Sequence, residues 1–111
     1  MIEAVFYFDK ADYPVGFTVK GHAGYADAGY DIVCASVSSP AYMVANTITD
    51  ILRLTPEIKV DEQSGFFEFL LLNESERAKA KDILSGFLLH MESLSQMYAD
   101  YIEVERGAFN A

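Results

Sequence analysis

The sequence lacks a second cysteine, a surplus of basic residues and a long apolar run. Cys34 is the only cysteine among 111 residues, so no internal disulfide can form and the reducing cytoplasm is the expected compartment. Eight Lys and Arg residues stand against seventeen Asp and Glu, and the formal net charge of −9 argues against a protein that binds nucleic-acid phosphates. No stretch reaches the ~20 apolar residues of a membrane span, and the first ten residues do not follow a signal-peptide pattern.

The residues that are present predict a compact acidic domain. Hydrophobic residues make up 51% of the chain and aromatic residues 14%, which is enough to fill a core without disulfides. No linker, repeat or low-complexity segment divides the chain, so we expect a single domain over residues 1–111. An acidic surface of this kind suits a basic partner.

The spacing of apolar residues predicts seven elements in the order ββαββαβ. Residues 2–8 form an apolar strand that we expect to be covered on both faces. Spacing of three and four residues predicts a first helix from about Ile32 to Leu54 and a second that opens at Ser75. The remaining predicted strands are residues 15–20, 58–60, 66–72 and 101–105. The expected fold class is α+β, a mostly antiparallel sheet packed with two main helices.

Pro40 lies inside the first helical pattern and leaves the start of that helix open. A proline within a helix removes one backbone hydrogen bond and kinks the helix. Alternatively, Ser39 is the N-cap and Pro40 the first helical residue. Cys34 would then lie on the approach to the helix and not in its first turn.

The densest set of candidate reactive residues is Gly21-His22-Ala23-Gly24 followed by the segment from Asp31 to Ser38. A nucleophilic thiol needs a proton acceptor and positive potential, and a helix N-terminus supplies both potential and N–H groups for an oxyanion. Asp31 as N-cap would place Cys34 at the third helical position, and His22 could act as general base. The glycine-bearing loop, about residues 21–31, could open and close over a substrate.

Each of these residues also has an ordinary structural interpretation. A single cysteine beside an apolar stripe is usually a small core residue, and Asp31 can cap a helix without orienting His22. His90 is expected beside the core of the second helix, and the acidic pair Asp61-Glu62 on a solvated surface. One cysteine and two distant histidines do not have the spacing of a zinc site, so we expect no metal and no cofactor.

Gly21-His22-Ala23, the glycine loop and then Asp31-Ile32-Val33-Cys34-Ala35-Ser36-Val37-Ser38 resemble the signature of the ribosomal-processing cysteine protease Prp (YsxB-like) family. Chain length, element order and the opening strand are similar across nearly the whole chain. The resemblance implies a small cytoplasmic endopeptidase, generally a homodimer, with no direct contact to nucleic acid or membrane. Its implied substrate is the N-terminal extension of a bacterial large-subunit ribosomal protein, the one numbered twenty-seven.

Carried over by position, the resemblance makes Cys34 the nucleophile and His22 the general base. Four further residues match positions around the site, as supporting or substrate-binding residues: Gly21, Ala23, Asp31 and Ser38. Two features depart from the family pattern. Ser36 stands where a second alanine is more usual, and Ser39-Pro40 bears on the shape of the nucleophile helix.

Two other functions share the same residues. A non-enzymatic acidic module that chaperones a basic ribosomal protein would have the same charge and compartment. A thiol-dependent enzyme of another kind, such as an acyltransferase, would also use Cys34 and His22.

Overall fold

The computed structural model describes residues 1–22 and 31–110. Its elements confirm the predicted order ββαββαβ, with five strands and two main helices. The strands are β1 (Ile2–Phe8), β2 (Pro14–Lys20), β3 (Glu57–Asp61), β4 (Phe66–Leu70) and β5 (Ile102–Ala108). The helices are α1 (Ile32–Asn46), which continues as a short π-helix (Thr47–Ile51), and α2 (Arg77–Met97), which follows a 3-10 turn (Glu74–Glu76).

The five strands form one sheet in the order β3-β4-β2-β1-β5. Three neighbouring pairs are antiparallel and the fourth, β1 with β5, is parallel. Phe17 of β2 lies opposite Phe6 of β1 and Phe69 of β4, so a row of phenylalanines crosses the centre of the sheet. The mostly antiparallel α+β class that we predicted is therefore confirmed.

The core lies on one face of this sheet. Phe17 is fully buried, and its ring centroid lies 5.0–5.7 Å from those of four other phenylalanines, namely Phe6, Phe67, Phe69 and Phe87. On this face of β1 the buried residues are Ile2, Ala4 and Phe6, whereas Glu3 on the opposite face is exposed and Val5 is half-buried. The expectation that β1 is covered on both faces is therefore wrong, because the alternate residues of the strand are left without a covering layer.

α1 begins at Ile32, directly after its N-cap Asp31, and runs through Pro40 without ending. The alternative in which Ser39 and Pro40 begin the helix is therefore wrong, and Cys34 lies in the first turn. At its other end the helix stops earlier than the predicted Leu54. Arg53 adopts a left-handed conformation with φ of 59°, which ends the helical path in the residues before Pro56.

The second half of the chain differs from expectation mainly in element ends. Asn73, and not Ser75, caps the turn before α2, because the Asn73 side chain accepts from the Ser75 N–H. β5 is longer than the predicted residues 101–105, since it pairs with β1 along its whole length. Within the described part of the chain, neither helix has the length and hydropathy needed to cross a bilayer.

Candidate active site

A cleft of about 290 Å³ lies between the end of β2, the first half of α1 and the turn that joins β3 to β4. His22 and Cys34 both line it, although they are twelve positions apart on different elements. Most of its walls are apolar, and they include Val37 from α1 and Phe67 from β4. The structure therefore brings the two predicted reactive residues to one cavity that is lined for a hydrophobic group.

Cys34 is held in the first turn of α1 by the helix cap. One carboxylate oxygen of Asp31 accepts hydrogen bonds from the backbone N–H groups of Val33 at 2.9 Å and of Cys34 at 3.0 Å. Asp31 is only 8% exposed, so these bonds are shielded from water. The Cys34 side chain is half-buried, packs against the core and borders the cleft. The backbone that carries the thiol is thus fixed by the local sequence.

The cap also changes the electrostatics expected at this helix start. A helix N-terminus offers positive potential to a thiolate, but here a carboxylate already occupies that position. The amides of Val33 and Cys34 donate to Asp31, so they are engaged and not free to receive an oxyanion. The structure thus supports the capping role for Asp31.

His22 follows β2 and is held at both its backbone and its ring. Its carbonyl oxygen accepts a hydrogen bond from the Met1 nitrogen at 2.7 Å. Its Nε2 atom lies 3.1 Å from the carbonyl oxygen of Gln63, which is 41 positions away in the β3–β4 turn. The imidazole is exposed, so a substrate in the cleft can reach it.

The other predicted site residues have different surroundings. Gly21 lines the cleft and has φ of +93°, and an added Cβ would lie 2.4 Å from the Met1 carbonyl oxygen, so only glycine fits there. Ser38 is exposed on the cleft side of α1, one turn beyond Cys34. Ala23 and most of the glycine loop predicted over about residues 21–31 lie outside the described residues.

The wall opposite α1 was not predicted. It is formed by the β3–β4 turn and its flanks, including Asp61, Glu62 and Gly65. Asp61 and Glu62 are exposed, as expected, but they border the cleft. Tyr42 of α1 closes another part of the site, and its ring centroid lies 5.1 Å from that of Phe67. The sequence signal for this wall was limited to the hairpin pattern, which does not tell which element the turn faces.

The residues around the cleft define a class of chemistry. A thiol at the start of a helix, an imidazole bordering the same cavity and a mostly apolar cleft are the parts of a cysteine hydrolase. Within residues 1–22 and 31–110, no three His, Cys, Asp or Glu side chains are grouped so that they could hold a metal ion.

Comparison with known proteins narrows this class to one family. The family model described as cysteine protease Prp matches residues 1–103, and the chain belongs to that family of cysteine proteases. The ribosomal processing cysteine protease Prp of Bacillus subtilis is 28% identical over 93 residues, covering 81% of this chain and 83% of the relative. Its Staphylococcus aureus counterpart is 27% identical over 86 residues, covering 78% of this chain and 80% of the relative.

Solved structures share the fold over almost the full length. A Streptococcus mutans protein superposes with a TM-score of 0.86 at 25% identity, covering 98% of this chain and 96% of its own. The S. aureus ribosomal processing protease Prp, solved with a covalently linked product peptide, gives a TM-score of 0.83 at 24% identity, covering 96% of this chain and 99% of its own.

Proposed function

We propose that this cysteine protease removes the N-terminal extension of the bacterial large-subunit ribosomal protein numbered twenty-seven. The observation that carries the proposal is that His22 and Cys34 border one apolar cleft in a chain of the Prp family. Relatives of this family are named ribosomal processing proteases, which supports the choice of a ribosomal substrate. The reaction would take place in the cytoplasm, in keeping with a chain whose single cysteine cannot form an internal disulfide, and in a homodimer without direct contact to nucleic acid or a membrane.

The proposed reaction is acyl transfer from the peptide to Cys34 and then to water. His22 takes the thiol proton, and the Cys34 sulfur attacks the carbonyl carbon of the scissile bond. His22 then gives the proton to the leaving amine as the carbon–nitrogen bond breaks, which leaves a thioester on Cys34. A water molecule, deprotonated by His22, attacks the thioester, and the returned proton restores the thiol as the carboxylate product leaves.

The shape and charge of the cleft indicate what kind of peptide it would accept. Its apolar lining, with Val19, Val37 and Phe67, suits a bulky hydrophobic side chain next to the scissile bond. The carboxylates of Asp61 and Glu62 border the opening, and the whole chain carries a net charge of −9. Both features favour a substrate with basic residues, as ribosomal proteins have.

The test uses a synthetic peptide that spans the ribosomal extension and its junction. Wild-type protein is expected to produce two fragments that mass spectrometry identifies, and Cys34→Ala and His22→Ala are each expected to abolish cleavage. His90→Ala is the matched control, because His90 is an exposed histidine on α2 and does not line this cleft. Circular dichroism verifies that each variant is folded.

Three results would contradict the proposal. Full activity of Cys34→Ala would exclude the thiol as nucleophile. Binding of the peptide without cleavage by the wild-type protein would favour the acidic binding module instead, and transfer of the acyl group to an added amine without hydrolysis would favour an acyltransferase.

A further inference from the structure

The hydrogen bond between His22 and Gln63 fixes which ring nitrogen carries the proton. A backbone carbonyl oxygen can only accept a hydrogen bond, so the Nε2 atom of His22, 3.1 Å away, must be the donor. In the neutral ring the second nitrogen, Nδ1, then has no hydrogen and carries a lone pair. The contact therefore selects one of the two neutral tautomers of His22.

We infer that the β3–β4 turn, residues 61–65, is a positioning element for the catalytic histidine. It holds the Nε2–H tautomer through the Gln63 carbonyl and so leaves Nδ1 as the one ring atom that can take the proton of the Cys34 thiol, which borders the same cleft. This inference rests on the proposed function, since it gives the atom through which the His22 base acts. In other enzymes with a nucleophile and a base, a third group orients the base in the same way.

The turn is built tightly enough to serve this purpose. The Gln63 N–H donates to the Asp61 carboxylate at 3.1 Å, and the Gly65 N–H donates to the Glu62 carbonyl at 3.3 Å. These bonds close the turn on itself and aim the Gln63 carbonyl outward at His22. The acceptor is therefore carried by backbone that is fixed by its own hydrogen bonds.

Gly65 shows how closely the turn approaches the histidine. It has φ of +67°, and an added Cβ would lie 2.5 Å from the Gly21 carbonyl oxygen and 3.1 Å from Cε1 of the His22 ring. A side chain at this position would both strain the backbone and push the turn away from residues 21 and 22. Glycine at position 65 is thus a condition for the contact between Gln63 and His22.

The first experiment reads the tautomer directly by nitrogen NMR of the imidazole rings, at a pH where they are neutral. His22 is expected to have its hydrogen on Nε2 to a greater extent than His90, whose exposed ring serves as the internal reference. Gly65→Ala is expected to bring the tautomer populations of the His22 ring towards those of the His90 ring. A hydrogen on Nδ1 of His22, or populations equal to those of His90 in the wild-type protein, would overturn the inference.

The second experiment weakens the acceptor without changing any side chain, and it also removes the Ser64 N–H, which lies 3.5 Å from the Asp61 carboxylate. In a chemically synthesised protein, an ester replaces the peptide bond between Gln63 and Ser64, because an ester carbonyl accepts hydrogen bonds less well than an amide. We expect kcat for the peptide to fall about fivefold with KM unchanged, as the loss of part of one hydrogen bond would give. Unchanged kcat in the folded ester variant would contradict the positioning role.

Gly65→Ala tests the same contact by displacement. A misplacement of the base by about 1 Å is expected to reduce kcat about a hundredfold. Gly86→Ala is the matched control, since a Cβ at this α2 glycine meets no atom within 4 Å, and it should keep wild-type kcat. The NMR measurement does not depend on cleavage, so a wild-type protein that fails to cut the peptide would contradict the proposed function and not the tautomer.

Discussion

Removing the Asp31 carboxylate should lower the free energy of unfolding and loosen the turn that carries the nucleophile. The carboxylate accepts two backbone N–H bonds, at 2.9 and 3.0 Å, in a site where Asp31 is only 8% exposed. N-cap substitutions by alanine cost about 0.5–2 kcal/mol, and burial of the two abandoned donors favours the upper half of that range. We therefore expect Asp31→Ala to cost about 1–2 kcal/mol.

Asp31→Asn separates the hydrogen bonds from the charge. Asparagine keeps an acceptor oxygen at the cap but loses the interaction of the negative charge with the helix dipole, which is worth about 0.3–1 kcal/mol. With an unfolding entropy of about 2.1 cal/mol/K per residue, a chain of 111 residues shifts its Tm by about 4 °C per kcal/mol. Asp31→Ala should thus melt about 4–8 °C below the wild type, and Asp31→Asn about 1–4 °C below it.

Thermal melts followed by circular dichroism, together with kcat and KM for peptide cleavage, test this reasoning. The capping account predicts that activity follows stability, so Asp31→Asn should keep most of its kcat at a temperature where it is folded. An unchanged Tm for Asp31→Ala would refute the account. Loss of cleavage in a stable Asp31→Asn, as complete as in His22→Ala, would assign Asp31 to orienting the base.

Three further predictions concern charge and helix propensity. Burial raises the pKa of Asp9, but hydrogen bonds from two backbone amides and Arg77, with the Arg77 charge 3.1 Å away, lower it overall. The Asp9–Arg77 pair therefore stabilises the fold at pH values above the pKa of Asp9 in the unfolded chain, and this effect is lost as the pH falls through the pKa of Asp9 in the folded protein. Asp9→Asn should lower the free energy of unfolding by about 3 kcal/mol. It should also reduce the dependence of that free energy, measured by urea unfolding, on pH in the acidic range. The hydrogen bond with Glu105 and the charge of Glu105 raise the pKa of Glu103. The free energy of unfolding should therefore fall as the pH rises through the pKa of Glu103 in the folded protein, and Glu105→Gln should lower that pKa in an NMR titration. Gly86→Ala should raise the Tm by about 4 °C, or about 1 kcal/mol, in a calorimetric scan, because α2 gains helix propensity without a clash.

The elements of this fold are predictable because their signals are local. The apolar pattern of the strands and the three-and-four spacing of α1 and α2 follow from the faces that must be buried. The ends of the elements are set by backbone conformation and by strand pairing, which the apolar pattern does not show. Arg53 ends the first helix with a left-handed conformation that non-glycine residues rarely adopt, and β5 extends to Ala108 because β1 offers it a full-length partner.

The same distinction applies to the site. The cap at Asp31 and the position of Cys34 in the first helical turn depend on a few consecutive residues, so the sequence could predict them. The contact of His22 with Gln63 joins segments 41 positions apart, and no property of either residue type indicates it. Likewise, Asp61 and Glu62 have the composition of an ordinary solvated turn, although they border the cleft.

The register of the sheet explains why this turn meets the histidine. Phe17 lies opposite Phe69 and Val19 opposite Phe67, so continuing the antiparallel ladder two residues further brings Gly21 opposite Gly65. This agrees with the position of the Gly65 backbone against the Gly21 carbonyl oxygen. A slip of one residue would turn the buried phenylalanines of β4 towards the uncovered face, so packing of the core fixes the register. The aromatic core of the sheet therefore determines which backbone carbonyl reaches His22. Changes in core packing that move β4 should alter the contact between Gln63 and the His22 imidazole before they unfold the protein.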